Sequence, residues 1–264
     1  MRTIFTIACV FAGLLAVGPI AQAQDDVANV PSQDLRVTGN EQQRYFLIGG
    51  GDAQKAPEKG YGLLLILPGG DGSADFNPFI KRIWQNALPQ GYLVAQLVAV
   101  PSNNQNQTVW PTAKSRDPKQ KFTTEEFLLG VIKDIKAKQK IDDAKVFALG
   151  WSSGGPAVYA ATLMKDSPLK GAFVAMSVFF PNQLPPLTAA KGKPFFLLQS
   201  PDDQVTKYLF AKNAEKQLKV AGAKVKLTDY PGGHGWQGDV SGNIQAGMQW
   251  LEQGGEGAGS EAKP

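Results

Sequence analysis

A serine within a turn of small residues is the first group in the chain that could act as a nucleophile. Ser152 lies in the segment Gly150-Trp151-Ser152-Ser153-Gly154, which matches the Gly-x-Ser-x-Gly nucleophile elbow. An apolar run precedes this segment and an alanine-rich run follows it, as expected for a buried strand that turns sharply into a helix. Because a serine hydroxyl is a weak nucleophile at neutral pH, this chemistry needs an adjacent base.

His234 is the only histidine of the chain, and it lies in a glycine-rich loop that follows a predicted strand. Imidazole can take up and return a proton near neutral pH, so His234 is the predicted general base. A carboxylate must then orient the imidazole. Two candidates, Asp202 and Asp203, follow another predicted strand. The three groups occur along the chain in the order serine, aspartate, histidine.

Predicted strands and helices alternate from about residue 43 to residue 252. Continuous apolar runs such as Tyr61 to Leu67 favour strands buried on both faces, which is typical of a parallel sheet covered by helices. Another strand is predicted at Gln43 to Ile48. The glycine-rich turn from Gly49 to Gly60 is predicted to connect it to the strand at Tyr61 to Leu67 as a hairpin. The chain is therefore predicted to be an α/β protein with a mostly parallel central sheet and helices on both faces. Its reactive residues follow the carboxyl ends of strands, where such folds place their sites.

These motifs resemble those of the α/β-hydrolase superfamily, in which the triad residues occur in the same order. The resemblance runs from about Gln43 to Glu252 and points to compact esterases. Dienelactone-hydrolase-like, phospholipase/carboxylesterase-like and polyhydroxybutyrate-depolymerase-like enzymes are the groups it indicates. It implies an α/β-hydrolase fold without a large lid, and a serine hydrolase that cleaves carboxylic esters through an acyl-enzyme.

The resemblance also favours one of the two candidate acids. The acid loop of such hydrolases often reads Gly-x-x-Asp with a valine two residues later. Asp203 and Val205 fit this spacing, with Ser200 in the place of the glycine. Asp203 is therefore the favoured triad acid, and Asp202 is the alternative.

An oxyanion hole is implied by the same resemblance. One backbone N–H should come from the residue after the nucleophile, which is Ser153. The second is expected from Gly70, with Asp71 as the alternative, in the loop after the strand that ends at Leu67. Related esterases often carry His-Gly in this loop, whereas the present chain has no histidine there.

Aromatic residues near these loops are predicted to line a substrate pocket. Their rings would form an apolar or aromatic wall for the acyl or alcohol part of an ester. The predicted pocket residues are Trp110, Trp151, Phe179 and Trp236.

Composition argues against several other functions. The 264 residues are 43% hydrophobic and carry a formal net charge of +4, with basic residues spread along the chain, so no nucleic-acid partner is expected. One histidine and one cysteine make a metal site improbable. The sequence contains neither a phosphate-binding loop nor a dinucleotide fingerprint, and no cofactor is expected. A peptidase, a polysaccharide deacetylase and a non-catalytic binding protein remain alternatives to an esterase.

Residues 1–23 resemble a secretory signal peptide, with Arg2, an apolar core and an Ala-Gln-Ala cleavage site ending at Ala23. The apolar core is too short for a membrane span. We therefore predict a secreted or periplasmic protein that lacks cysteine after cleavage, because Cys9 lies within the signal. The predicted divisions are a flexible lead-in at 24–40, a hydrolase domain at 41–252 and a disordered tail at 253–264.

Overall fold

A computed structural model describes residues 26–51, 55–101, 108–116 and 118–256 of the chain. The predicted signal peptide at 1–23 lies outside the described residues. So do residues 257–264 of the predicted tail. The division of the chain into signal, lead-in, domain and tail therefore stays a prediction.

Eight strands form one sheet, in the order β1-β2-β4-β3-β5-β6-β7-β8. Strands β3 to β8 run parallel to one another, and β1 and β2 are antiparallel strands at one edge. The strands are β1 Ser32–Val37, β2 Asn40–Ile48, β3 Tyr61–Leu67, β4 Tyr92–Leu97, β5 Ile141–Trp151, β6 Gly171–Ala175, β7 Pro194–Gln199 and β8 Lys224–Asp229.

Within the described part of the chain, five α-helices cover the two faces of this sheet. Every residue of β3, β4, β6 and β7 is buried, as expected for parallel strands between helical layers. Helices α1 and α5 pack on one face, and α2, α3 and α4 pack on the other. The predicted α/β architecture is thus confirmed. The helices are α1 Asn77–Ala87, α2 Thr124–Lys136, α3 Gly155–Thr162, α4 Tyr208–Val220 and α5 Val240–Glu252.

The antiparallel edge differs from the sequence-based expectation in two ways. Strand β2 pairs with β1 and β4 rather than with β3, so the predicted hairpin across Gly49 to Gly60 is wrong. Residues 32–37, expected within a flexible lead-in, form the edge strand β1. Polar side chains support this strand, because Arg44 of β2 binds both carboxylate oxygens of Asp34 at 3.0 and 2.8 Å.

No helix within the described ranges is both long and apolar enough to cross a membrane.

A buried carboxylate ties this edge of the sheet to α2. Asp134 of α2 accepts hydrogen bonds from Thr38 Oγ1 at 2.6 Å, from the Tyr45 hydroxyl and from Lys138 Nζ at 2.9 Å. Burial alone raises the pKa of Asp134, but these three hydrogen bonds outweigh it and lower the pKa from 3.8 to about 2. The ionised form is therefore the one that stabilises the fold.

Asp134→Asn should lower the free energy of unfolding at pH 7 by about 2 kcal/mol, because the amide loses charge-assisted hydrogen bonds. Since the folded-state pKa is depressed, this stabilisation is complete above about pH 5 and is lost as the pH falls towards 2. Denaturant unfolding at several pH values should show the difference from wild type shrinking in acid. The exposed Asp75→Asn is the control, and a difference for Asp134→Asn that does not change with pH would contradict this assignment.

Candidate active site

The turn after β5 holds its serine in a backbone conformation that non-glycine residues rarely adopt. Strand β5 ends at Trp151, a short 3-10 turn spans Ser152–Gly154, and α3 begins at Gly155. Ser152 has a φ of 50°, a left-handed value that costs roughly 1 kcal/mol or more. The sequence predicted this sharp strand-to-helix turn.

Glycine is required beside this turn because a backbone carbonyl group and a side-chain hydroxyl group approach it closely. A Cβ atom on Gly154 would lie 2.2 Å from the carbonyl oxygen of Leu67, at the end of β3. A Cβ atom on Gly155 would lie 2.1 Å from Ser177 Oγ. That hydroxyl donates a 2.7 Å hydrogen bond to the carbonyl oxygen of Ser152, which braces the strained turn from the loop after β6.

The histidine loop after β8 brings the imidazole between the serine and one aspartate. His234 Nε2 lies 3.2 Å from Ser152 Oγ, and His234 Nδ1 lies 2.8 Å from Asp203 Oδ2. The side chain of Asp203 is fully buried, whereas a quarter of the His234 side chain is exposed. Asp202 is exposed on the same loop; its backbone N–H donates to Ser200 Oγ and its backbone carbonyl oxygen accepts from Gln204 Nε2, both at 3.2 Å.

Five hydrogen bonds fix the Asp203 carboxylate. Its Oδ1 accepts from the backbone N–H groups of Val205 and Thr206, both at 2.8 Å. Its Oδ2 accepts from the Thr206 hydroxyl at 2.7 Å and from Gln199 Nε2 at 2.9 Å, in addition to His234. Burial raises the pKa of Asp203, but the bonds from His234, Thr206 and Val205 outweigh it and hold the pKa below its usual value. Asp203 is therefore ionised at neutral pH.

An ionised carboxylate can only accept hydrogen bonds, and this assigns the tautomer of the imidazole. His234 Nδ1 must carry the hydrogen that points to Asp203. In the neutral ring Nε2 is then unprotonated and can accept the hydroxyl hydrogen of Ser152.

Buried hydroxyl groups join the acid loop to the histidine loop. Ser200 Oγ accepts from the backbone N–H of Gly233 at 3.0 Å and from that of Asp202 at 3.2 Å. The hydroxyl of the buried Tyr230 donates to the carbonyl oxygen of Gly233 at 2.8 Å. These contacts fix the position of His234 relative to Asp203.

The loop after β3 lies against the serine turn. Ser153 Oγ donates a 2.8 Å hydrogen bond to the carbonyl oxygen of Gly70, which has a φ of +60°. Asp71, the alternative to Gly70, is exposed, and its carboxylate accepts the N–H of Ser73 at 3.0 Å. The two residues expected to supply the oxyanion-hole N–H groups, Ser153 and Gly70, are thus in direct contact.

Two of the four predicted pocket residues lie together beside Ser152. The rings of Trp151 and Trp236 are 5.6 Å apart, and those of Phe76 and Phe79 lie 5.4 and 5.8 Å from Trp151. We call Phe76, Phe79, Trp151 and Trp236 the aromatic cluster. Phe76 and Phe79 were not among the predicted pocket residues.

The other two predicted pocket residues lie elsewhere. Phe179 is buried and packs edge-on against Tyr159 of α3, at 5.1 Å between ring centroids. Trp110 is buried, and its Nε1 donates to the carbonyl oxygen of Pro68 at 2.8 Å, which supports the loop that carries Gly70. Trp110 also lines a separate cavity of about 110 Å³ with Phe122 and other residues.

Gln199, Thr206, Ser177 and Ser200 contact the site but were not predicted as functional. Gln199 ends a predicted strand and Ser200 follows it, which is the signal that could have marked these two residues. Within the described ranges, no group of three or more histidine, cysteine, aspartate or glutamate residues could hold a metal ion.

The sheet order and the serine turn define an α/β-hydrolase. A family model described as phospholipase/carboxylesterase matches residues 101–246, more than half of the chain. The chain therefore belongs to the phospholipase/carboxylesterase family and is a serine hydrolase of ester bonds. This confirms the predicted superfamily and enzyme class.

Solved structures of two esterases and of a further α/β-hydrolase share the fold at low sequence identity. Native esterase 2 of Thermogutta terrifontis superposes with a TM-score of 0.61 at 14% identity, over 89% of this chain and 96% of that one. An esterase of Pyrobaculum calidifontis gives a TM-score of 0.61 at 13% identity, over 88% and 89% of the two chains. MGS-M1, an α/β-hydrolase from a Medee basin deep-sea metagenome library, gives 0.60 at 14% identity, over 85% and 98%.

Gly154→Ala should open the contact between the serine turn and β3, because the added Cβ meets a backbone carbonyl oxygen that cannot rotate away. We expect a loss of roughly 3 kcal/mol in unfolding free energy, together with a large loss of ester hydrolysis. Thermal melting and turnover of a soluble aryl ester measure the two effects. The control is Gly130→Ala within α2, where the new Cβ meets a Val37 methyl group at 3.1 Å. A Gly154→Ala enzyme as stable as wild type would contradict the role of this contact.

Proposed function

We propose that the chain is an exported carboxylesterase that acts through an acyl-enzyme on Ser152. The observation that carries this proposal is the continuous path from Ser152 Oγ to His234 Nε2, at 3.2 Å, and from His234 Nδ1 to Asp203 Oδ2, at 2.8 Å. A serine is activated when its hydroxyl lies within hydrogen-bond distance of a base and a third group orients that base.

In the first half-reaction, His234 Nε2 takes the hydroxyl proton as Ser152 Oγ attacks the ester carbonyl carbon. The carbonyl oxygen becomes an oxyanion, and the backbone N–H groups of Ser153 and Gly70 would stabilise its charge. The tetrahedral intermediate then collapses, and the bond to the alcohol oxygen breaks. His234 returns the proton to that oxygen, so the alcohol leaves and the acyl group stays on Ser152.

In the second half-reaction, His234 Nε2 removes a proton from water, which attacks the acyl carbon. A second oxyanion forms in the same place and collapses with release of the carboxylic acid. The proton returns to Ser152 Oγ. Asp203 stays ionised throughout and stabilises the imidazolium that forms twice in the cycle.

The aromatic cluster is evidence that the substrate carries an apolar group that binds near Ser152. Trp236 follows the base by two residues and is partly exposed, as are Phe76 and Phe79, whereas Trp151 is buried and packs against all three rings. A group bound against Trp236 would therefore lie near the reacting atoms. Exported location is supported by the signal-like residues 1–23. Esterase 2 of Thermogutta terrifontis is known in a form phosphorylated by paraoxon, which supports an organophosphorus probe for the present chain.

A fluorophosphonate reagent should label the wild-type enzyme, and Ser152→Ala should abolish the label. Ester hydrolysis by Ser152→Ala and by His234→Ala should fall by about 10⁴-fold or more, because the triad residues act as a unit. Ser167→Ala, a serine that bonds the carbonyl oxygen of Ala161 at 2.7 Å, is the matched control and should label normally. Equal labelling of Ser152→Ala would overturn the proposed nucleophile. An unlabelled wild type without ester turnover would favour a binding protein.

The two adjacent aspartates provide a second test. Asp203→Asn should lower kcat by roughly 10³- to 10⁴-fold, because an amide no longer fixes the productive imidazole tautomer. Asp202→Asn makes the same chemical change on the exposed neighbour and should leave kcat within about twofold of wild type. Stopped assays with a soluble aryl ester measure the kcat of each of the two variants. Equal losses in the two variants, or a loss confined to Asp202→Asn, would refute the proposed acid.

A further inference from the structure

Most of the exposed large apolar side chains lie along one helix, α4, or beside its first turn. Among the described residues, six large hydrophobic side chains are exposed, and four of them lie on α4 or beside its first turn. Single exposed hydrophobic residues are ordinary, but a cluster marks an interaction surface. The four are Phe180 (41% exposed), Val205 (68%), Leu209 (75%) and Val220 (84%).

Lysines share this surface with the apolar side chains. Residues 205–220 contain four lysines and a single acidic residue, Glu215. Positions 209, 212, 216, 219 and 220 recur at the spacing of one helix face. Glu215 accepts from Lys212 at 2.8 Å and from Lys219 at 2.9 Å, so one carboxylate is shared by two ammonium groups. We define Val205, Leu209, Lys212, Lys216, Lys219 and Val220 as the α4 face.

The α4 face begins at the acid loop of the site. The backbone N–H of Val205 binds Asp203 Oδ1, and the Thr206 hydroxyl binds Asp203 Oδ2. Helix α4 starts two residues later, and the ring of Phe210 packs on exposed Phe180 at 5.4 Å. A surface that covered the start of α4 would therefore lie next to the site.

We propose that the α4 face docks on an anionic lipid bilayer. The apolar stripe of this 13-residue helix is packed on the sheet, and its outer face, about 20 Å long, carries three lysines between Leu209 near one end and Val220 at the other. A rigid face of lysine and apolar side chains can lie in the plane of a lipid interface. The leucine and valine side chains would enter the apolar boundary, while the lysine ammonium groups reach lipid phosphates. This binding uses no triad residue and is independent of the acyl-enzyme mechanism. Its consequence is that lipid-borne esters would be presented beside Ser152.

A second copy of the chain fits the α4 face less well than an anionic surface does. In a two-fold symmetric dimer the same face meets itself. Lys212, Lys216 and Lys219 of one copy would then approach the same three lysines of the other, and these outnumber the two nearby carboxylates, those of Glu215 and Asp229. Charge complementarity therefore selects an anionic partner.

Sedimentation with vesicles tests the proposal on the full chain carrying Ser152→Ala, which keeps lipid hydrolysis out of the measurement. Vesicles containing phosphatidylglycerol should bind the protein, vesicles of phosphatidylcholine alone should not, and binding should weaken as salt is raised. Adding Leu209→Gln with Lys216→Gln should lower affinity for the anionic vesicles by about fivefold or more. The matched control is Leu129→Gln with Lys133→Gln on α2, which removes the same two residue types from another exposed face. Thermal melting should confirm that both variants are folded.

The expected result is a loss confined to the α4 variant. Three outcomes would overturn the proposal: no binding to anionic vesicles at low salt, equal binding to both lipid compositions, or equal losses in the α4 and α2 variants. A dimer in sedimentation velocity that only the α4 variant abolishes would assign the face to a second copy instead. A failure here leaves the fluorophosphonate result unchanged, so it is distinguishable from a failure of the esterase proposal.

Discussion

The close approach of the serine turn to β3 is the constraint on which the site depends. Leu67 of β3 pairs with Gly150 of β5 in the parallel ladder, so both strands end at the same level of the sheet. Gly154 then passes so near the Leu67 carbonyl oxygen that no side chain fits between them. This contact places the loop carrying Gly70 beside Ser153 and keeps Ser152 in its left-handed conformation. The strain is acceptable because the surrounding sheet is buried and extensively packed.

The residues of the candidate site were predictable because each has a local signature. Ser152 has small neighbours that only a tight strand-to-helix turn requires, and His234 is the only imidazole in the chain. Asp203 was favoured over Asp202 from its spacing to Val205, and in the structure it is the aspartate that contacts His234. The fold class followed from continuous apolar runs, because burial on both faces of a strand leaves this pattern in the sequence.

The remaining features depend on which segments meet in space, and local patterns carry little of that information. The apolarity of β2 indicated burial but not its partner, so a local hairpin was expected where β4 pairs instead. Trp110, Trp151, Phe179 and Trp236 are all aromatic residues near strand ends, and only packing shows that the first three are buried and that Trp236 is partly exposed. The hydrogen bonds of Gln199 and Thr206 to Asp203 come from side chains that are equally common in ordinary turns.

In the proposed mechanism, the hydrogen bonds of the Asp203 carboxylate both fix its orientation and reduce its attraction to the imidazole of His234. Its Oδ2 receives three donors, so its negative charge is shared among Gln199, Thr206 and His234 rather than directed at the imidazole alone. Sharing weakens each individual attraction, but it removes the rotational freedom of the carboxylate and satisfies a charge that would otherwise be costly to bury. The Thr206 oxygen lies 3.3 Å from His234 Nδ1 and offers that N–H a second, weaker acceptor. The ring is thus held in the tautomer that leaves Nε2 facing Ser152, even where a quarter of the imidazole meets solvent.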